Sequence, residues 1–301
     1  MNIPLKDFFR NPESTAYQLS PDGKHFAFLA PYQQRMNIHV KPVDSDETIR
    51  ITSVEDRDIG GFVWVNNTRI IYVRDFGGDE NFHILASSID GSNDVDLTPF
   101  DGVRAQVIDD LEDDENHVIV GLNKRNPQIF DPYRLNVNSG ELEMIAENPG
   151  NITGWMTDHD GKLRIAMATD GVNGSILYRK NEADDFKIVI TTNFKETLAP
   201  LFFTFDNQHV YAASNLGRDK TAIIKYDLEN NYELEELYSH PEVDVEQLNY
   251  SKKNKTLSSI SYTTWKRQLH FLNDEREKLE TTLSSTARLK TLVKKALYSL
   301  G

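Results

Sequence analysis

One short pattern recurs along the chain and limits its fold more than any other feature. It is an alternating strand, a tight polar turn, and a second alternating strand. The first instance is Tyr17–Ser20, the turn Pro21-Asp22-Gly23-Lys24, and His25–Leu29. Five more follow, turning at Asn66-Asn67, Asp113–Asn116, Asp158–Gly161, Asp206-Asn207 and Lys252–Lys255, so the spacing is about 44 to 48 residues. Asp, Asn and Gly suit such turns because they tolerate positive φ and hydrogen-bond locally. Each hairpin is followed by a third strand: Asn37–Val40, Phe82–Leu85, Tyr133–Val137, Ser175–Tyr178, Ala222–Tyr226 and Gln268–Leu272. Short outer strands follow at Ile49–Thr52, Val95–Thr98, Leu142–Ile145 and Phe186–Ile190. Four antiparallel strands per unit at this period predict an all-β fold, a β-propeller of about six four-stranded blades. Solenoids of similar period are helical and need a 3.6-residue periodicity that the repeats lack.

Three segments result. Residues 1–16 precede the blades and include Leu5–Arg10, a helical turn carrying Phe8 and Phe9. Residues 17–273 are the blades. Residues 274–301, with Glu275–Glu280 and Ala287–Leu297, read as a short helical tail, basic at its end. Glu275–Leu283 is polar and helical, so the sixth blade lacks an outer strand. An open ring is expected to expose Phe26, Phe28 and Ile38 of the first blade and Leu257, Ile260 and Trp265 of the sixth, which would favour self-association.

Charge and composition exclude several classes. The formal net charge of -14 opposes binding to nucleic acid through phosphate neutralisation and to an anionic membrane surface. With no cysteine, Cys-ligated metal and a Cys nucleophile are excluded. No apolar run approaches a membrane span, and Met1–Asp7 has no apolar signal core, so the expected location is the cytoplasm; a form with its leader removed would read the same.

No catalytic motif stands out. A Gly-x-Ser-x-Gly elbow, a Walker loop and His-Glu-x-x-His are all absent, so no catalytic residue, metal site or cofactor is assigned. His25, His117 and His209 follow equivalent hairpin turns and read as strand-edge residues. The acidic run Asp109–Glu115 lacks the glycine of a calcium loop and reads as a solvated turn. Two loops between second and third strands remain. In Arg74–Asn81, two glycines and the carboxylates of Asp75, Asp79 and Glu80 flank Phe76. The loop is either an ordinary connection or a carboxylate pair that suits an ammonium group. In Asn123–Tyr133, Arg125 suits a carboxylate or carbonyl, or pairs structurally with Asp131.

Together, Leu19–Lys24, Asp75–Asn81, Asn123–Pro127 with Phe130–Arg134, and Gly154–Gly161 resemble the propeller of the prolyl oligopeptidase family of serine peptidases, nearest the acylaminoacyl-peptidase and dipeptidyl-aminopeptidase-like branch. The resemblance runs from about Ile3 to about Leu283; the Ser-Pro-Asp-Gly turn alone is unspecific. It implies a parent with a further blade and an α/β-hydrolase domain carrying a Ser–Asp–His triad, with the propeller limiting substrates to peptides. It also implies that Asp79, Glu80 and Arg125 contact a peptide terminus. No residue here matches a triad position, and from about Ser285 the sequence departs from the family pattern. The chain therefore reads as truncated before the hydrolase domain, by a frameshift or by choice of boundaries. It is expected to be inactive alone, a non-catalytic gating propeller. The alternative is a free-standing propeller that binds a protein or peptide.

Overall fold

The computed structural model describes residues 4–111 and 113–299, and side chains except those of Lys6, Asp7 and 287–299. Glu112 of the acidic run, the start of the amino-terminal segment and the basic side chains of the tail lie outside the described residues. The chain divides into two compact units, residues 1–163 and 164–301. Its strands form six sheets, five of four strands and the last of three.

In the first unit, a helical turn α1 (Lys6–Phe9) leaves Phe8 and Phe9 exposed. Sheet 1 is β1 (Thr15–Leu19), β2 (His25–Tyr32), β3 (Arg35–Pro42) and β4 (Ile49–Arg50). Sheet 2 is β5 (Gly61–Trp64), β6 (Arg69–Arg74), β7 (His83–Ser88) and β8 (Val95–Asp96). Sheet 3 is β9 (Ala105–Asp109), β10 (His117–Asn126), β11 (Ile129–Asn136) and β12 (Leu142–Met144). Strand β13 (Ile152–Thr157) ends the unit.

The second unit opens with β14 (Leu163–Thr169), β15 (Gly174–Tyr178) and β16 (Lys187–Thr192). Sheet 5 follows with β17 (Leu198–Phe203), β18 (Val210–Ser214), β19 (Ala222–Asp227) and β20 (Tyr232–Tyr238). The last sheet has β21 (Val245–Ser251), β22 (Thr256–Thr263) and β23 (Arg267–Phe271). Where a fourth strand would come, the helix α2 (Asp274–Ser299) begins, with Asp274, Glu275 and Glu277 in its first turn, where carboxylates favour the helix dipole. No described helix is long and apolar enough to cross a membrane.

The strand sequences are more apolar than a one-faced sheet needs, and packing shows why. In β6, Ile70 and Tyr72 join Ile38, Val40, Phe62 and Trp64 in a cluster with sheet 1. Ile71 points the other way, into a cluster with Val118, Val120 and Leu135 of sheet 3. Successive strand residues face opposite sides, so a sheet covered on both faces buries both phases. Each fully buried Ile contributes about 1.5–3 kcal/mol.

Two of the hairpin turns share one device. Ser20 Oγ accepts from the amides of Lys24 (3.1 Å) and His25 (3.0 Å) and donates to Asp22 Oδ1 (2.7 Å). At the same offsets Thr204 Oγ1 accepts from His209 N (3.0 Å) and donates to Asp206 Oδ1 (2.5 Å). The third residue after each hydroxyl has positive φ, Gly23 at 72° and Asn207 at 57°.

Three details differ from the sequence expectation. Strands β10 and β11 run on into the segment read as a loop, leaving only Pro127 and Gln128 between them. The outer strand of sheet 5, β20, was not foreseen; Glu233, Glu235 and Glu236 mask its alternation. The faces expected to be bare are mostly covered. Phe28 (7% exposed) stacks on Tyr17 at 4.7 Å, Ile38 (0%) sits in its cluster, and Ile260 (0%) packs with Val245 and Leu248. Phe26 and Leu257 are half-buried, and Trp265 stands out at 79% exposed.

Candidate functional site

The β6–β7 loop is built around a buried carboxylate. Asp75 is 1% exposed, and it accepts from Arg57 Nε (3.3 Å) and from the amide of Glu80 (3.3 Å). Its neighbour Asp56 accepts from Arg74 Nη2 (2.7 Å) and from Gly77 N (3.3 Å). Desolvation pushes the Asp56 carboxyl up, but the Gly77 amide and the Arg74 charge outweigh it and hold the group below the usual carboxylate range. Gly77 and Gly78 have φ of 63° and 86°, which glycine adopts without a Cβ penalty, and Glu80 shares this conformation at 60°. The turn thereby presents both Asp79 and Glu80 at the exposed tip.

Asp79 accepts from Asn81 N (3.1 Å) and Nδ2 (3.2 Å). Desolvation raises its carboxyl, yet these bonds prevail and keep it below the ordinary range, so it is anionic at neutral pH. The Glu80 carboxylate has no hydrogen bond or ion pair among the described residues. Beside the tip, Arg74 lies 4.4 Å over the Phe76 ring, and Phe76 meets His83 edge-on at 5.0 Å. The pair of exposed carboxylates has the chemistry to hold an ammonium group.

Arg125 has a different setting. Its Nε and Nη2 form a two-point pair with Asp131 (2.9 and 3.0 Å), and Nη2 also donates to Asn148 O (2.7 Å). Nη1 lies 3.4 Å from Glu147. The bond to Asp131, which is 0% exposed, raises the Arg125 pKa above its ordinary value. Of the two readings open from sequence, the Arg125–Asp131 pair is present. Among the described residues no hydrogen bond or ion pair links Arg125 to Asp79 or Glu80.

The two loops are bridged by the segment entering β9. Ala105 N donates to Phe82 O (2.7 Å), and Arg104 N donates to Asn123 Oδ1 (2.6 Å). Sequence reasoning passed over Asp56, Arg57, Arg104 and Asn148. The Asp56-Arg57-Asp58 charge run ahead of Gly60-Gly61 was the available signal for the first two.

The three histidines that follow hairpin turns sit at strand edges. His25 opens β2, His117 opens β10 against Asp114 (3.0 Å), and His209 precedes β18. Among the described residues no group of three or more His, Asp or Glu is arranged to hold a metal ion.

No family model matches the chain. Dipeptidyl aminopeptidase BIII of Pseudoxanthomonas mexicana is 29% identical over 224 residues, covering 73% of this chain and 32% of the relative. Dipeptidyl peptidase family member 6 of Caenorhabditis elegans is 22% identical over 292 residues, covering 90% of this chain and 39% of the relative. A prolyl endopeptidase structure superposes with a TM-score of 0.57 at 14% identity, over 85% of this chain and 42% of that one. The chain thus spans about a third to two fifths of the length of these relatives. With six sheets in sequence and these matches, the chain has a β-propeller fold, is similar in sequence to the dipeptidyl aminopeptidases over about a third of their length, and matches part of a prolyl endopeptidase in fold.

Proposed function

We propose that this chain is the non-catalytic, substrate-gating propeller portion of a serine peptidase, working with an α/β-hydrolase domain that carries the triad. The homology over 73% of this chain to about a third of a dipeptidyl aminopeptidase carries the reading. In it, Asp79 and Glu80 receive the amino terminus of a peptide substrate. Their exposure, the Asp79 carboxyl held below its ordinary range and the backbone fixed by Gly77 and Gly78 support the role. Arg125 receives a peptide carbonyl or carboxylate only through the guanidinium face that Asp131 leaves unused.

Two measurements test this. The 301-residue chain alone should show no turnover of dipeptidyl or acyl-peptide substrates, because nucleophile, base and oxyanion donors act only together. Turnover that co-purifies with the chain and survives a serine-directed inhibitor would refute it. Titration should also show a free-amine peptide binding better than its N-acetylated form. Asp79→Asn and Glu80→Gln should each weaken the free-amine peptide by about two- to fivefold, the range of exposed ion pairs. Equal binding of the two peptide forms would remove the ammonium role.

A further inference from the structure

A cavity of about 500 Å³ lies in the first unit, between β5, β6 and the segment entering β9. Its walls are apolar, with Phe62, Val73, Phe82 and Val107 among them, and its polar side chains include Arg104 and Gln106. No carboxylate lines it. The volume lies within the roughly 300–1,000 Å³ range of small-ligand pockets, and an apolar body with few polar groups is their usual make-up.

Arg104 is the unusual member. Asn123 clamps its backbone from both sides, accepting from Arg104 N at 2.6 Å and donating to Arg104 O at 3.4 Å. Asn123 is itself 8% exposed and donates to Pro127 O (2.9 Å). The backbone is thus fixed, yet the guanidinium makes no hydrogen bond or ion pair among the described residues. Its guanidinium lies over the Phe82 ring, 5.7 Å from the ring centre. Here the donors remain unspent over an apolar hollow. Gln106, two residues on, lies over Gly121 of the paired strand. A Cβ at 121 would fall 3.1 Å from the Gln106 Cγ and Nε2, so glycine makes room for that amide.

We infer that this cavity binds a monocarboxylate carried on an apolar or aromatic body, with the carboxylate on Arg104 and the body against Val73 and Phe82. A guanidinium offers two parallel donors that match a carboxylate, and Gln106 supplies a third. The ligand is either a free carboxylic acid or the carboxy terminus of a short apolar peptide. The inference does not depend on the peptidase reading and would survive its failure.

The test is calorimetric titration of the whole chain with 3-phenylpropionate and its amide, and with Ala-Ala-Phe bearing a free or amidated carboxy terminus. The acid forms should bind at least about tenfold more tightly than the amides, as a charge-assisted contact implies. Binding by both acids identifies a general monocarboxylate site, and binding by the peptide acid alone identifies a peptide terminus. Arg104→Gln, at an exposed position, should abolish the preference for acid over amide. Gly61→Val should block all ligands, since a Cβ at 61 meets nothing within 4 Å and projects into open space. Equal binding of acid and amide, a preference that persists in Arg104→Gln, or no saturable binding of any ligand would each overturn the inference.

Discussion

Replacing Gly161 by alanine isolates a contact on which the turn after β13 depends. Gly161 has φ of +72°, and a Cβ there would lie 2.6 Å from Leu111 Cδ2 and 3.7 Å from Leu111 Cδ1 and Cγ. Leu111 cannot retreat freely. It is 6% exposed, itself at φ 48°, with its amide bound to Asp109 Oδ1 (2.9 Å) and its carbonyl to Asp114 N (2.7 Å). Gly102 is the matched control, with φ of +69° and nothing within 4 Å of its would-be Cβ. The left-handed conformation costs alanine about 1–2 kcal/mol, partly offset by about 0.4–1 kcal/mol of unfolded-state entropy. Gly102→Ala should therefore lose about 1 kcal/mol. Gly161→Ala adds overpacking of about 1–3 kcal/mol, for a total of about 2–4 kcal/mol. Equilibrium urea unfolding followed by tryptophan fluorescence measures both. Leu111→Ala in the Gly161→Ala background should return the overpacking part as a favourable coupling of about 1–3 kcal/mol. If Gly161→Ala and Gly102→Ala agree within about 0.5 kcal/mol, Leu111 moves aside at no cost and the reasoning fails.

Three further outcomes are expected. Arg125→Ala should lower the urea midpoint by stranding the buried Asp131 carboxylate, and Arg125→Ala with Asp131→Asn should recover most of the loss; failure to recover would show that the pair does not explain the arginine. The Asp170 carboxyl is pushed down to about 2 by bonds from Asn173 N, Asn173 Nδ2 and Val172 N. Because its folded value is depressed, its contribution to stability is full well above the ordinary value of 3.8 and is lost as pH falls toward about 2. The gap in midpoint between wild type and Asp170→Asn should close over that window, and a gap independent of pH would refute the assignment. Ser20→Ala should destabilise the first hairpin and Ser20→Thr should not, since Thr204 serves the same turn in sheet 5; equal losses in urea unfolding would show that the hydroxyl is dispensable.

The repeat was legible because its punctuation is local. Pro21-Asp22-Gly23 and Asp206-Asn207 specify their turns within a few residues, and the flanking strands alternate. The outer strands were less legible because little in their own sequence makes them strands. β4 and β8 are two residues each, defined by the third strand they pair with. β20 carries three glutamates in seven residues and is a strand because β19 supplies the partner edge. In the candidate site, Asp79, Glu80 and the Arg125–Asp131 pairing could be named from short segments. Asn148 could not, lying 17 residues beyond Asp131. The cavity was invisible for the same reason, since its walls come from residues 60–63, 71–73, 82 and 104–107.

The geometry also exposes a repeat that the residue types conceal. After each of the first three fourth strands the chain returns to the third strand at a constant offset. Ile51 N donates to Ile38 O (3.0 Å), Leu97 N to Ile84 O (2.9 Å) and Ile145 N to Pro132 O (3.0 Å). The residues before those acceptors, Asn37, His83 and Asp131, therefore occupy one structural position. Asn37 Oδ1 accepts from Val54 N (2.8 Å), and Asp131 Oδ1 accepts from Asn148 N (2.8 Å), each 17 residues on. His83 departs from this and pairs with Asp96 (2.7 Å). In sheets 1 and 3 the position supplies one side-chain acceptor, and in sheet 1 a neutral amide suffices. In sheet 3 it is a carboxylate with no solvent exposure, which requires a cation beside it. Arg125 supplies that cation and spends Nε and Nη2 in doing so. Its presence is accounted for by the fold before any ligand is considered, so a substrate role for it is an addition to a structural one. Arg104 is the reverse case: its backbone is fixed by Asn123, and among the described residues its guanidinium serves no carboxylate, so nothing in the fold accounts for its donors.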